Sequence, residues 1–209
     1  MTISSPTFTC SDRMGRVILA GMEEIIGRNE ISSLFNLVAN DEIVVTDIIL
    51  ERGLDFSFEM LPELQVNLDQ AYGISAGRGL AIRSGRACFR HILREFGDEM
   101  GLTDLEFRLL SMPARLKFSN QSLAVLINQQ NGQQVEFRTD DQYLHWTIER
   151  NPGKACVRAE KSACHLTFGL LQEMLSWTSG GKIFQMEETH CIERGDPSCR
   201  IQISKTPIN

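Results

Sequence analysis

Three cysteines and one acid in the last third of the chain, Cys164, Cys191, Cys199 and Glu188, have the types and spacing to hold a metal ion. They lie in the segments KSACHLTF, MEETHC and IERGDPSCRI. A closed tetrahedral Zn2+ site takes four such donors, with thiolate sulfur at about 2.3 Å. Cys191 and Cys199 stand equally far from Gly195. An antiparallel hairpin centred there therefore opposes them, with Cβ atoms about 4.5–5.5 Å apart. On a straight strand Glu188 would point away from Cys191, so a bulge or bend is expected between them. Cys164 falls in the first turn of the preceding helix, where the helix N-terminus favours the thiolate. Four protein donors leave no open position for water, which implies a structural ion tying helix to hairpin. The same residues also read as three buried free thiols and a surface carboxylate. His165, His190 and Cys156 are spare ligands, with His190 alternating away from Cys191 on the strand.

The elements that must position these residues follow from periodicity. Asp12 to Ile26 reads as a helix, with Met14, Val17, Ile18, Gly21 and Ile25 at helical spacing, Ser11 as cap and Gly27 as terminator. Ile31 to Val38 reads as a second short helix. Residues 41–70, including the β-branched run IVVTDIIL, suit strand or helix. Residues 71–96 hold glycines at 73, 77, 79 and 85, but Ile82 breaks any dinucleotide-binding fingerprint. The small residues permit close helix packing instead. Arg83, Arg86, Arg90 and Arg94 form a stripe that is either a solvated face or a contact for an acidic partner or anionic ligand.

Leu102 to Met112 is expected to be helical and to end at Pro113. Ser122 to Ile127 and Gln134 to Arg138 suggest strand or mixed structure, and Thr139 to Gln142 a turn. Tyr143 to Glu149 alternates with Leu144, Trp146 and Ile148 on one face. Asn151-Pro152-Gly153 closes that strand. Ser162 to Trp177 is an amphipathic helix with Phe168, Leu171, Met174, Leu175 and Thr178 on one side, stopped by Gly180-Gly181. Lys182 to Glu193 and Ser198 to Lys205 are the strands of the cysteine hairpin. This order gives a loose tail at 1–10 and a single α+β domain at 11–209. Its helical half, 11–115, packs on an antiparallel sheet within a metal-binding core at 116–205.

Composition sets the outer bounds. The chain has 209 residues, is 42% hydrophobic and carries a net charge of −6. An acidic balance lacks the positive field of nonspecific nucleic-acid binding. No apolar run reaches the roughly 18–20 residues that span a bilayer, and MTISSPTFTCSDR has no signal-peptide pattern. A cytoplasmic protein is expected. In that compartment the six cysteines point to metal binding or buried thiols rather than disulfides.

From Trp146 to Ile203 the chain resembles the 4-vinyl reductase domain family. The resemblance rests on NPGKAC, the helix ending GLLQEMLSWTSGG, and EETHCIERGDPSCRI. Cys164, Glu188, Cys191 and Cys199 match the family's metal-ligand positions one by one, which implies structural Zn2+. The resemblance also implies a fold related to heme-NO-binding and transport-particle ligand domains, with helices and a sheet around a hydrophobic pocket and a homodimer paired through the helical half. Relatives include phenol-sensing modules of bacterial regulators and a bacteriochlorophyll-biosynthesis protein.

The family name implies a reductase, yet the chain shows neither a dinucleotide fingerprint nor iron–sulfur cysteine spacing to supply electrons. The reading that follows is a zinc-containing binder of a hydrophobic or aromatic ligand. It would serve as carrier or accessory factor for a (bacterio)chlorophyll-type tetrapyrrole or photosystem. A ligand-sensing regulatory module is the alternative, and the nominal vinyl reductase a further one. Trp146, Tyr143, Phe168 and Trp177 are the candidate ligand-binding residues. Trp146, on the apolar face with Leu144 and Ile148, reads more simply as core, and Phe168 shares that ambiguity.

Overall fold

Met14, Val17, Ile18 and Met22 recur at three- and four-residue spacing and are all buried, which makes Asp12–Ile26 an amphipathic helix, α1. The computed structural model describes residues 12–39, 60–131, 134–149 and 164–208. Helices α2, Arg28–Ala39, α3, Met60–Tyr72, and α4, Ile74–Phe96, complete the first helical layer. Ser11, the tail, IVVTDIIL, NPGKAC and Asn151-Pro152-Gly153 lie outside the described residues.

Helix α4 is the centre of the helical layer, packed against α1, α3 and a later helix, α7, at His165–Ser179. Its small residues permit this. A Cβ on Gly85 would lie 1.9 Å from the Leu166 carbonyl oxygen, and one on Gly169 of α7 would lie 1.9 Å from the Ile82 carbonyl oxygen. The arginine stripe on α4 is partly used within the chain. Arg90 pairs with Glu24 at 2.7 Å and Glu173 at 3.3 Å, and Arg86 donates to the Gln172 Oε1 at 2.9 Å.

The middle of the chain departs from the expected order. Only Leu105–Leu109 forms a short helix, α5. Pro113 then sits in the first turn of a long helix, α6, at Met112–Asn131, where a missing N–H costs nothing. Proline here opens a helix rather than ending one. The strand or mixed structure expected at Ser122–Ile127 is helical, because Leu116, Ser119, Asn120, Leu123 and Leu126 form one buried stripe at helical spacing and override the local β preference.

Four antiparallel strands complete the fold: β1 Val135–Thr139, β2 Tyr143–Glu149, β3 Phe184–His190 and β4 Ser198–Pro207, in the order β1-β2-β4-β3. β3 is shorter than expected at both ends, and a 3-10 turn takes Ile192–Arg194 at its C-terminal side. The register of β3 on β4 shifts between Glu188 and His190, where the sequence calls for a bulge. Leu144, Trp146 and Ile148 of β2 and Cys199, Ile201 and Ile203 of β4 face the core. Trp146 is 1% exposed, and its indole Nε1 donates to the Asn120 Oδ1 of α6 at 2.7 Å. Gly180 ends α7 at φ +76°, a left-handed cap that glycine adopts without strain. No helix among the described residues is long and apolar enough to cross a membrane.

Candidate functional site

The fold brings the four donors together. The Sγ atoms of Cys164, Cys191 and Cys199 and a carboxylate oxygen of Glu188 all lie within 4.8 Å of one another. Sulfurs about 2.3 Å from a tetrahedral ion stand about 3.8 Å apart, so a small contraction would close the set. Cys164 occupies the N-cap of α7, and its carbonyl accepts the Phe168 N–H at 2.9 Å. Glu188 reaches the cluster through the β3 bulge. Cys191 and Cys199 flank the turn, which is built by Asp196: its Oδ2 accepts the Cys191 N–H at 2.7 Å, and the Cys191 carbonyl accepts the Arg194 and Asp196 N–H groups.

The electrostatics of the cluster pull in two directions. Hydrogen bonds with Cys191 and Cys199, followed by burial, push the Cys164 thiol well above its ordinary range. For Cys199 the bond from Cys164 lowers the value, but Cys191 and burial outweigh it and the thiol is pushed up to about 12. Two groups favour negative charge nearby. The Ile192 N–H donates to the Cys199 Sγ at 3.3 Å, and Arg194 Nη2 stands 3.7 Å from the Glu188 carboxylate, which is 8% exposed. A bound ion reverses the thiol preference, because coordinated thiols lose their protons outright. His165 is half-buried beside Cys164, with burial lowering its pKa. His190 Nδ1 lies 3.1 Å from the Thr189 hydroxyl.

A second feature lies at the far end of α7. A cavity of about 320 Å3 is lined by Leu93 of α4, Leu102 and Thr103, Phe107 and Arg108 of α5, Arg115 of α6, and Trp177 and Thr178 of α7. Phe107 and Trp177 stack with centroids 5.7 Å apart and planes 7° apart. Trp177 is 42% exposed. Thr178 donates to the Ser119 hydroxyl at 3.0 Å, and Ser119 donates to the Arg115 carbonyl at 2.9 Å.

Of the residues singled out for a ligand, Trp177 lines this cavity. Trp146 lies in the core between sheet and α6, Phe168 packs against the core from α7, and Tyr143 stands on β2 beside His145. Arg108, Arg115 and Phe107 were missed by the sequence reading. The clue to Arg115 was the helical period running through Pro113, which places it at the start of α6.

No family model matches the chain, and no curated protein matches its sequence. Solved structures do match. An H-NOX protein from S. oneidensis in the Fe(II)NO ligation state superposes with a TM-score of 0.58 at 12% identity, covering 92% of this chain and 98% of that one. An oxygen-binding H-NOX domain related to soluble guanylate cyclases superposes at 0.52, with 11% identity over 92% and 94%. A structure from work on heme redox potential and protein-induced porphyrin distortion superposes at 0.50, with 11% identity over 92% and 94%. These likenesses show the fold: an α+β domain of helices on a four-stranded antiparallel sheet.

Two expectations are corrected by these findings. The 4-vinyl reductase assignment is overturned, since no family model matches and the aligned structures are H-NOX domains. The chlorophyll-biosynthesis and photosynthesis assignments fall with it. Structural zinc as the resident cofactor is overturned as well: the aligned proteins are described by iron and heme. Three thiolates and a carboxylate are a donor set that would suit a soft ion without naming one.

Heme is named for one of the aligned structures, and the described residues that line this cavity do not fit it. Heme iron takes an axial His, Cys, Met or Tyr, and none of the described residues lining the cavity is one of these. His91 precedes Leu93 by two positions, about 200° around α4, and its Nε2 lies 3.0 Å from Glu24 of α1. Cys88 is fully buried, donates to the Ile18 carbonyl at 3.3 Å, and is pushed up to about 12 by burial. Neither can serve an iron in this cavity.

Proposed function

We propose that this chain is a small-molecule-sensing domain whose ligand occupies the cavity between α4, α5, α6 and α7. The observation that carries this reading is the cavity itself, walled by the stacked Phe107–Trp177 pair. At about 320 Å3 it falls at the lower end of the roughly 300–1,000 Å3 of small-molecule sites. Trp177 is half of the aromatic pair and is accessible from solvent, as a ligand-contacting wall must be. The shared architecture with H-NOX domains supports the reading at the level of the fold.

We further propose that Cys164, Glu188, Cys191 and Cys199 hold a thiophilic metal ion that pins the start of α7 to the β3–β4 hairpin. Helix α7 has 15 residues and is therefore about 22 Å long. Its N-terminus rests on the donor cluster and its last turn walls the cavity. An ion at one end fixes the helix against which a ligand at the other must pack.

The test is ligand-dependent stabilisation. A compound that binds only the folded chain raises its stability by about 2.7 kcal/mol at a hundredfold excess over Kd. A thermal-shift screen of small aromatic compounds should find stabilisers whose effect disappears in Leu93→Trp, which fills the cavity. Stabilisers that act equally on Leu93→Trp would place the ligand elsewhere and defeat the reading.

A further inference from the structure

We infer that the cavity takes an anionic ligand, a flat apolar body carrying a carboxylate or similar oxyanion, with Arg115 as the group that reads the charge. The inference rests on the small-molecule reading above and names the ligand's chemical class. Two of the described lining residues are arginines and none is acidic. The Arg115 Nε is buried and has no hydrogen-bond partner. A buried guanidinium donor left without an acceptor is costly, and an oxyanion entering the cavity supplies one with bidentate geometry.

The position of Arg115 makes the same point independently. It stands in the first turn of α6, where the helix dipole already concentrates partial positive charge. That turn contains no acidic residue. A cation there opposes helix stability, so its placement against a cavity is explained by an anion that both the guanidinium and the dipole attract. Arg108, exposed on α5 at the cavity wall, adds charge at the entrance. The rest of the lining, Leu93, Leu102, Phe107 and Trp177, is apolar or aromatic and suits a ring rather than a bare inorganic ion.

The experiment compares 2-naphthoate with 2-naphthamide, which shares its ring system but is uncharged. Dissociation constants are measured by calorimetry on the full chain, its Arg115→Gln and Arg115→Lys variants, and Arg86→Gln. Arg86 is an arginine outside the cavity and serves as a control. Naphthoate should bind the parent at least tenfold more tightly than naphthamide. Arg115→Gln should lose at least tenfold for naphthoate and less than threefold for naphthamide, with Arg115→Lys in between and Arg86→Gln unchanged. Circular dichroism and melting curves confirm that each variant is folded.

Equal affinity for the two compounds, or an Arg115→Gln variant that keeps its naphthoate affinity, would overturn the anion assignment and leave the cavity reading standing. Binding of neither compound would also overturn the anion assignment. The sensing reading is then decided separately by the Leu93→Trp comparison.

Discussion

Gly85 of α4 and Gly169 of α7 form a reciprocal contact: each faces a backbone carbonyl of the opposite helix, Leu166 and Ile82, at a place where a Cβ would lie 1.9 Å away. The two helices therefore meet backbone to backbone at the axis of the helical layer. Gly85→Ala or Gly169→Ala should destabilise the chain by about 3 kcal/mol, the upper range of overpacking costs, in urea unfolding. Gly79 on α4 has nothing within 4 Å of its would-be Cβ. Gly79→Ala should stabilise by up to about 1 kcal/mol through helix propensity alone. Equal effects at positions 79 and 85 would contradict the close crossing.

Cys191→Ser tests the donor cluster. Titrated with Co2+, the parent should develop intense thiolate-to-metal absorption at one ion per chain, and the variant should not. An ion present at a thousandfold excess over Kd stabilises by about 4 kcal/mol. Chelator should therefore lower the parent's melting temperature and leave that of Cys191→Ser in place. Retention of the Co2+ spectrum by the variant would remove Cys191 from the ligand set.

The Trp146–Asn120 bond is a core feature and should behave as one. Asn120→Ala leaves the indole N–H buried without its acceptor, at a cost of about 1–3 kcal/mol. Trp146→Phe in the same background should recover part of that loss, because the orphaned donor is gone. Neither change should alter ligand affinity in the folded protein, since neither residue lines the cavity.

Asp140 gives a pH signature. His145 donates to its Oδ2 at 2.7 Å, and the Gln142 and Tyr143 N–H groups donate to its Oδ1. The His145 bond first, then these N–H groups, lower its pKa from 3.8 to about 2. A depressed folded-state value contributes stability that is present above the unfolded pKa and lost as pH falls through the folded one. The contribution of this turn should therefore fade between about pH 4 and pH 2. NMR titration of the Asp140 carboxyl should show a midpoint near 2 that rises in His145→Gln. An unchanged midpoint in that variant would assign the shift to the backbone N–H groups alone.

The sequence made the ends of the molecule legible and obscured its middle. Helix α1 is readable to the residue because its apolar positions recur at strict helical spacing and Gly27 stops it. Strand β2 is readable because Leu144, Trp146 and Ile148 alternate. The bulge at Glu188 follows from requiring an acid and a cysteine three positions apart on one side of a strand. Helix α6 was hidden by local chemistry: Leu123, Val125 and Ile127 look like a strand until Leu116, Ser119 and Asn120 extend the pattern to period 3.6. Arg115 was hidden with it, since its role depends on which turn of which helix it occupies. That Cys164, Glu188, Cys191 and Cys199 come together was legible from residue type and spacing, but whether they hold an ion, and which, is not written in that spacing.

The most direct test of the account is native mass spectrometry of the chain purified under mild conditions, beside Leu93→Trp prepared identically. The account expects one small-molecule adduct per parent chain, released on denaturation, and its loss from the folded variant. An adduct that persists in Leu93→Trp, or a parent chain that shows none and is stabilised by no compound in the thermal-shift screen, would contradict a ligand-sensing cavity.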